Sequence, residues 1–143
     1  VLTMFLALNA SVELYKGGVV PLAEYAQRPY DRDILVGVLV PKENARVVYQ
    51  SVRNSQTDFP VLTCAAAKLA DGSIRAAIGA RPGKAVLYTA APEAGETAEE
   101  FAARFAAEVK AGIKTESNLR GGAEYRRHLA GVLTKRAVGR LEG

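Results

Sequence analysis

The chain has 143 residues, 49% of them hydrophobic and 24% charged, which is enough for one globular core and excludes an intrinsically disordered chain. Its 19 basic and 15 acidic residues give a net charge of +4. No apolar run approaches the roughly 18 residues that a membrane-spanning helix requires, and neither apolar run, 1–8 nor 34–40, has the flanks of a signal peptide.

Four short elements are predicted before residue 30: an apolar segment of strand or short-helix length (1–8), a strand (11–15), a returning arm (19–21) and a helical turn (22–28). Gly17-Gly18 predicts the turn between the strand and the returning arm. Pro29 and residues 31–33 are typical of a linker. We therefore expect a domain boundary near residue 30.

The next part of the sequence is rich in strands. Residues 33–40 are filled with β-branched and apolar side chains and end at Pro41, which predicts a strand. Further strands are predicted at 45–52, 59–69, 73–78 and, as an edge, 86–88. Asp71-Gly72 is a tight hairpin signal. These segments predict an antiparallel sheet whose strands are joined in sequence.

After Gly95 the apolar period changes from two to about 3.6 residues, which indicates helices. Thr97 and Glu100 have the spacing of a capping box at the start of the first helix. A second helix is predicted over 123–141, with an apolar stripe of Tyr125, Leu129, Leu133, Ala137 and Leu141. Strands followed by helices predict an α+β, two-layer sandwich: a three- to four-stranded antiparallel sheet packed against about three helices.

The sequence offers neither a complete catalytic set nor a metal site. Residues 79–84 have only three residues between their glycines and are followed by Ala85, so they do not match a phosphate-binding P-loop. His128 is the only histidine, and Glu124 and Val132 stand one helical turn away from it, which does not make a metal-ligand cluster. Cys64 lies in an apolar run and is predicted to be an inert, buried thiol, which favours a reducing, cytoplasmic compartment.

Two polar segments remain as candidate sites. Residues 49–60 place many hydrogen-bonding side chains between two strands, and they are either a binding loop or a polar hairpin in which Asp58 caps its own turn. Residues 118–127 contain Gly121-Gly122 ahead of a helix. The backbone amides exposed there either hold an anion or belong to an ordinary helix start. Residues 120–140 carry six basic residues and one acidic residue, so this segment either meets an acidic partner or is a solvated helix face.

Three sequence blocks together resemble a known family: residues 33–41, a strand with its closing proline; residues 49–60, with Arg53 and Asp58 as polar anchors; and residues 118–137, with R-x-x-A-E-Y-R-R-H-L-A followed by K-R-A. They resemble the C-terminal domain of the flavoprotein subunit of molybdenum hydroxylases, the family of xanthine dehydrogenase and carbon monoxide dehydrogenase. The resemblance implies that residues 31–143 form this domain. It also implies that residues 1–30 are the tail of a preceding FAD-binding domain.

The resemblance implies a part of an oxidoreductase that helps to position FAD for electron transfer from iron-sulfur clusters to NAD or another acceptor. It implies that Leu35, Gln50, Arg53 and Asp58 approach the FAD, that no residue here is catalytic, and that the pyrophosphate-binding loops lie in earlier sequence. The implied partners are that FAD-binding domain, a molybdopterin-binding subunit and a [2Fe-2S] subunit, with no membrane. We expect the chain alone to be inactive.

The alternative is a free-standing basic module that binds a protein or a nucleic acid and has no enzymatic activity. Nucleic acid is the less expected ligand, because only Tyr125 lies among the basic residues as a stacking platform.

Overall fold

The computed structural model describes residues 1–30, 32–42 and 45–142. Asp31, which belongs to the predicted linker, lies outside the described residues. The elements in chain order are α1 (Leu2–Ala7), β1 (Ser11–Leu14), β2 (Gly18–Pro21), α2 (Leu22–Tyr25), β3 (Leu35–Leu39), β4 (Arg46–Val52), β5 (Leu62–Lys68), β6 (Ile74–Gly79), β7 (Val86–Ala90), α3 (Ala98–Gly112) and α4 (Ala123–Glu142).

The larger sheet has four antiparallel strands in the order β4-β5-β6-β7. Side chains alternate along each strand, so one face takes residues such as Cys64 and Ala66, which pack with Phe101 of α3 and Leu129 of α4. The other face takes the small residues Ala65, Ala67 and Ala77, which pack with Leu6 and Ala7 of α1. Helices therefore cover both faces, and the predicted α+β fold with a four-stranded antiparallel sheet is confirmed.

The two long helices form where the sequence predicts them. At the start of α3, Thr97 accepts the backbone N–H of Glu100, and the Glu100 carboxylate accepts the N–H of Thr97, which completes the capping box. The buried stripe of α4 differs from the prediction at its first turn, where Tyr125 is 48% exposed and Arg126 is buried instead. Among the described residues, no helix is both long and apolar enough to cross a membrane.

A second sheet of three strands, in the order β2-β1-β3, precedes the larger sheet in the sequence. The predicted hairpin of β1 and β2 is present, and residues 1–8 are helical rather than extended. The structure corrects the expectation that residues 33–41 begin the larger sheet, because β3 pairs with β1. The Asp33 carboxylate fixes this pairing, since it accepts the N–H groups of Lys16 (3.0 Å) and Gly17 (2.7 Å) in the β1–β2 turn.

Strand β3 is one edge of the three-stranded sheet and is apolar on both faces. Its exposed apolar side chains, with those of the adjoining residues, are Ile34, Leu35, Val36, Val38, Leu39 and Val40. A strand with apolar residues on both faces is typical of the interior of a sheet rather than of a solvated edge. The predicted boundary near residue 30 stays a prediction.

Candidate functional site

The structure brings the two predicted polar segments together at one end of the larger sheet. The Nε of Arg120 donates to the Oδ1 of Asp58 at 3.0 Å. The Nδ2 of Asn54 donates to the backbone carbonyl of Arg120, also at 3.0 Å. The loop after β4 and the turn before α4 are therefore one cluster rather than two separate sites.

The loop of residues 53–60 is held by its own hydrogen bonds. Its base is closed by the Val61 N–H, which donates to the Val52 carbonyl at 2.7 Å. Arg53 donates to the backbone carbonyl of Asp58 at 2.5 Å, and Asp58 Oδ1 accepts the Phe59 N–H at 2.6 Å. The Arg120 guanidinium, followed by this N–H, lowers the pKa of Asp58. Asp58 therefore caps its own turn and also binds Arg120.

An aromatic side chain marks the outer surface of this cluster. Phe59 is 73% exposed, and the guanidinium carbon of Arg120 lies 5.1 Å from the centre of its ring. This distance is within the range of a cation–π contact, which fixes the ring while leaving most of it in solvent. The segment is thus open at the surface, although Arg53 and Asp58 are both engaged within it.

Arg126, in the first turns of α4, connects this cluster to neighbouring loops. The side chain is only 1% exposed, and its guanidinium donates to the carbonyls of Val61 and Ala80 and to the side-chain oxygen of Asn118. All of these acceptors are neutral. Burial lowers the pKa of Arg126, and the nearby Arg120 charge acts in the same direction. One buried cation therefore joins three loops.

The burial of Arg126 was not predicted from the sequence, where this residue belongs to the basic segment 120–140. A signal was present, since Arg126 stands three residues before Leu129 and seven before Leu133, which both belong to the predicted apolar stripe. In the basic segment 120–140, Arg126 is buried and Arg120 is partly buried and paired with Asp58. Neither of them belongs to a solvated helix face.

A cavity of about 480 Å³ adjoins the 53–60 loop and lies between the end of the larger sheet and the start of α1. Its wall combines two cationic side chains, Arg53 and Lys84, with two aromatic ones, Tyr49 and Phe59. Backbone at Gly79 completes the wall. Aromatic faces beside guanidinium and ammonium groups are suited to a flat heterocycle with electron-rich or anionic edges.

The structure separates the four residues that the resemblance assigns to FAD. Arg53 lines this cavity and Asp58 lies beside it in the same loop. Gln50 lies between Val48 and Val52 on the face of β4 that packs against α3 and α4. Its buried Nε2 has no hydrogen-bond partner within the described part of the chain. Leu35, on β3 of the other sheet, is 50% exposed.

The remaining candidate segments are bonded internally. In the 79–84 turn, Arg81 donates to the Lys84 carbonyl at 2.6 Å, and Lys84 Nζ donates to the Arg28 carbonyl at 2.7 Å. At the start of α4, the Ala123 N–H donates to Ser117 Oγ at 2.9 Å, which favours an ordinary helix start over an anion site.

The described residues contain no group of three or more side chains of the metal-binding types. Cys64 is buried, and burial raises the pKa of its thiol to about 12, which keeps it protonated and unreactive.

Comparison with known proteins assigns the family. The family model of the CO dehydrogenase flavoprotein C-terminal domain matches residues 47–141, which is more than half of the chain. This chain belongs to that family. The matched range contains both halves of the 53–60 and 118–127 cluster. A comparison with curated proteins finds no match.

Solved structures support a common fold. Quinoline 2-oxidoreductase from Pseudomonas putida 86 aligns at a TM-score of 0.77 and 19% identity, over 99% of this chain. Carbon monoxide dehydrogenase from Hydrogenophaga pseudoflava, in a form that lacks the Mo-pyranopterin moiety, aligns at 0.77 and 22% over 98%. Reconstituted CO dehydrogenase from Oligotropha carboxidovorans aligns at 0.75 and 20% over 99%. The chain spans 55% of each of these three longer chains.

Proposed function

We propose that this chain is the C-terminal part of the FAD-binding subunit of a molybdenum-dependent dehydrogenase of the xanthine dehydrogenase type. In this proposal the 53–60 loop lies against the flavin. The family match over residues 47–141 carries this proposal, because the matched family is a flavoprotein C-terminal domain. Alignment with chains of quinoline 2-oxidoreductase and CO dehydrogenase supports the same assignment.

The residues around the 480 Å³ cavity fit one part of a flavin. Tyr49 and Phe59 offer aromatic surface, while Arg53 and Lys84 offer positive charge to electron-rich oxygen and nitrogen atoms. Bound FAD would supply electron transfer between iron-sulfur clusters and NAD or another acceptor. The role of this chain's residues is to orient the ring, exclude water and set the local charge.

The pyrophosphate of FAD needs free backbone amides, and in the glycine-containing segment 121–123 the N–H groups of Gly121 and Ala123 already donate to the Asn118 carbonyl and to Ser117 Oγ. We therefore assign the pyrophosphate site to a preceding FAD-binding domain and expect this chain alone to be inactive. We also keep Leu35 and Gln50 as proposed FAD neighbours. The exposure of Leu35 and the unpaired, buried Nε2 of Gln50 are compatible with a neighbour that the described residues do not supply.

The partners follow from the same proposal. The apolar edge strand β3 is suited to pairing with a strand of the FAD-binding domain, because backbone groups of an edge strand are open to such pairing. We propose a molybdopterin-binding subunit and a [2Fe-2S] subunit as further partners. The single buried thiol of Cys64 favours a reducing compartment, and we propose that the assembly works in the cytoplasm.

The test is the reduction potential of the flavin in the complete flavoprotein. Reduction adds negative charge to the flavin, so a nearby guanidinium stabilises the reduced form. We expect Arg53→Gln to lower the two-electron potential by roughly 10–30 mV, where 30 mV corresponds to about 1.4 kcal/mol. Arg136→Gln, on an exposed position of α4, is the matched control and should leave the potential unchanged. Equal potentials in the Arg53 variant and the wild type would contradict the proposal.

A further inference from the structure

Two further cavities lie along the outer surface between α3 and α4. The larger has a volume of about 670 Å³ and reaches from Ala107 to Thr115 and Arg127. The smaller has a volume of about 220 Å³ and continues past His128 to Lys135. Both are lined by Ala107 and Lys110, so they form one depression, which we call the α3–α4 groove.

Small residues make the floor of the groove. On α3 these are Ala106, Ala107 and Ala111, and on α4 the floor residue is Gly131. A Cβ added at Gly131 would lie 3.3 Å from the Cβ of Lys110, so glycine allows the two helices to pack closely at this point. Because the Lys110 side chain already packs over Gly131, it is the exposed Ala107 and Ala111 that leave room for another helix to approach.

The rim of the groove is positively charged. Its titratable side chains are Lys110, Lys114, Arg127, His128 and Lys135. Of these, Arg127 is paired with Glu124 at 3.1 Å, whereas Lys110, Lys114 and Lys135 have no ion-pair partner among the described residues. Most of the rim charge is therefore available to a ligand of opposite sign.

We propose that the α3–α4 groove binds an acidic helix of a partner protein. Cations on both sides of the groove complement acidic side chains, and the small residues that line it leave space for a helix. Lys110 of α3 and Lys135 of α4 both line the smaller cavity, so unpaired cations stand on both sides of the groove.

A nucleic acid fits the groove less well. Single-stranded nucleic acids are held by aromatic side chains on which bases stack, and the residues that line the groove include no aromatic one. This inference is independent of the flavin proposal, because the groove shares no lining residue with the cavity beside the 53–60 loop.

The test uses two fluorescein-labelled, alanine-based peptides of 18 residues with the same composition. One carries four glutamates on a single helical face, and the other carries them evenly around the helix. We expect fluorescence anisotropy to show that the single-face peptide binds the protein about tenfold more tightly, and that added salt weakens this binding.

Protein variants then locate the site. Lys110→Glu with Lys135→Glu should weaken binding about tenfold, whereas Lys16→Glu with Lys42→Glu, two exposed residues in the N-terminal part, has the same change in net charge and should weaken it less than about twofold. Ala111→Tyr fills the groove without changing charge and should also weaken binding about tenfold. Circular dichroism checks that each variant is folded.

Several results would overturn the proposal. These are equal affinity for the two peptides, equal loss in the two double variants, an unchanged affinity in Ala111→Tyr, and the absence of binding at low salt. Tighter binding of single-stranded RNA than of the single-face peptide, lost in the same groove variants, would assign the groove to nucleic acid instead.

Discussion

Replacing Arg126 by methionine tests whether one buried cation holds the candidate site together. Methionine has a similar length and no hydrogen-bond donor, so the carbonyls of Val61 and Ala80 would lose their guanidinium partner. An unpaired buried acceptor costs about 1–3 kcal/mol, which is partly offset because a buried charge is removed as well. We therefore expect a loss of about 2–4 kcal/mol in the free energy of unfolding.

The neighbouring arginine is the matched control. Arg127 is partly exposed and pairs with Glu124 at 3.1 Å on the surface of α4. Because exposed ion pairs contribute little, Arg127→Met should cost less than about 1 kcal/mol. Arg126→Lys keeps the charge without the planar donor geometry and should fall between the two.

The assay is urea-induced unfolding followed by circular dichroism for the wild type and the three variants. Hydrogen exchange of backbone amides in the loops around residues 61, 80 and 118 gives a second readout, since these loops should exchange faster only in the Arg126 variants. A loss of less than about 1 kcal/mol in Arg126→Met, with unchanged exchange, would refute the view that Arg126 joins these loops.

Three further predictions concern other parts of the fold. Gly79→Ala should cost about 1–3 kcal/mol in unfolding free energy, because the new Cβ would lie 2.5 Å from the Thr3 methyl group, whereas Gly37→Ala, with open space around it, should stay within about 0.5 kcal/mol. Cys64 should resist iodoacetamide at pH 8 in the folded protein and react once the protein is unfolded in urea; reaction at the same rate in both states would contradict its burial. The hydrogen bonds from Arg104 of α3 lower the pKa of Glu96 from 4.5 to about 2. The Glu96 carboxylate therefore contributes stability above pH 4.5 that is lost as the pH falls towards 2. In Glu96→Gln the melting temperature should therefore change less between pH 4.5 and 2 than in the wild type. An equal decrease in the melting temperature of both proteins over this range would contradict the prediction.

Features that depend on neighbouring residues could be predicted from the sequence. The capping box needs only Thr97 and Glu100, and both of its hydrogen bonds are present. The hairpin signal at Asp71-Gly72 is equally local, and the Asp71 carboxylate accepts the Ser73 N–H at 2.9 Å in the turn. The order of the predicted segments, strands followed by helices, gave the α+β fold class.

Features that depend on distant parts of the chain could not be predicted in the same way. Strand β3 is apolar on both faces, so its pattern does not specify which sheet it joins, and the Asp33 contacts with the β1–β2 turn decide the matter. The burial of Arg126 could not be predicted, because its carbonyl partners come from loops 46 and 65 residues away in sequence. The pairing of Asp58 with Arg120 joins residues 62 positions apart.

The most direct test of the proposed function is a crystal structure of the complete flavoprotein with FAD bound. We expect the flavin to contact the 53–60 loop, with at least one atom of Arg53, Asp58 or Phe59 within about 4 Å of it. A flavin that contacts no residue of this loop, with Arg53 and Phe59 open to solvent in the complete flavoprotein, would contradict the proposal.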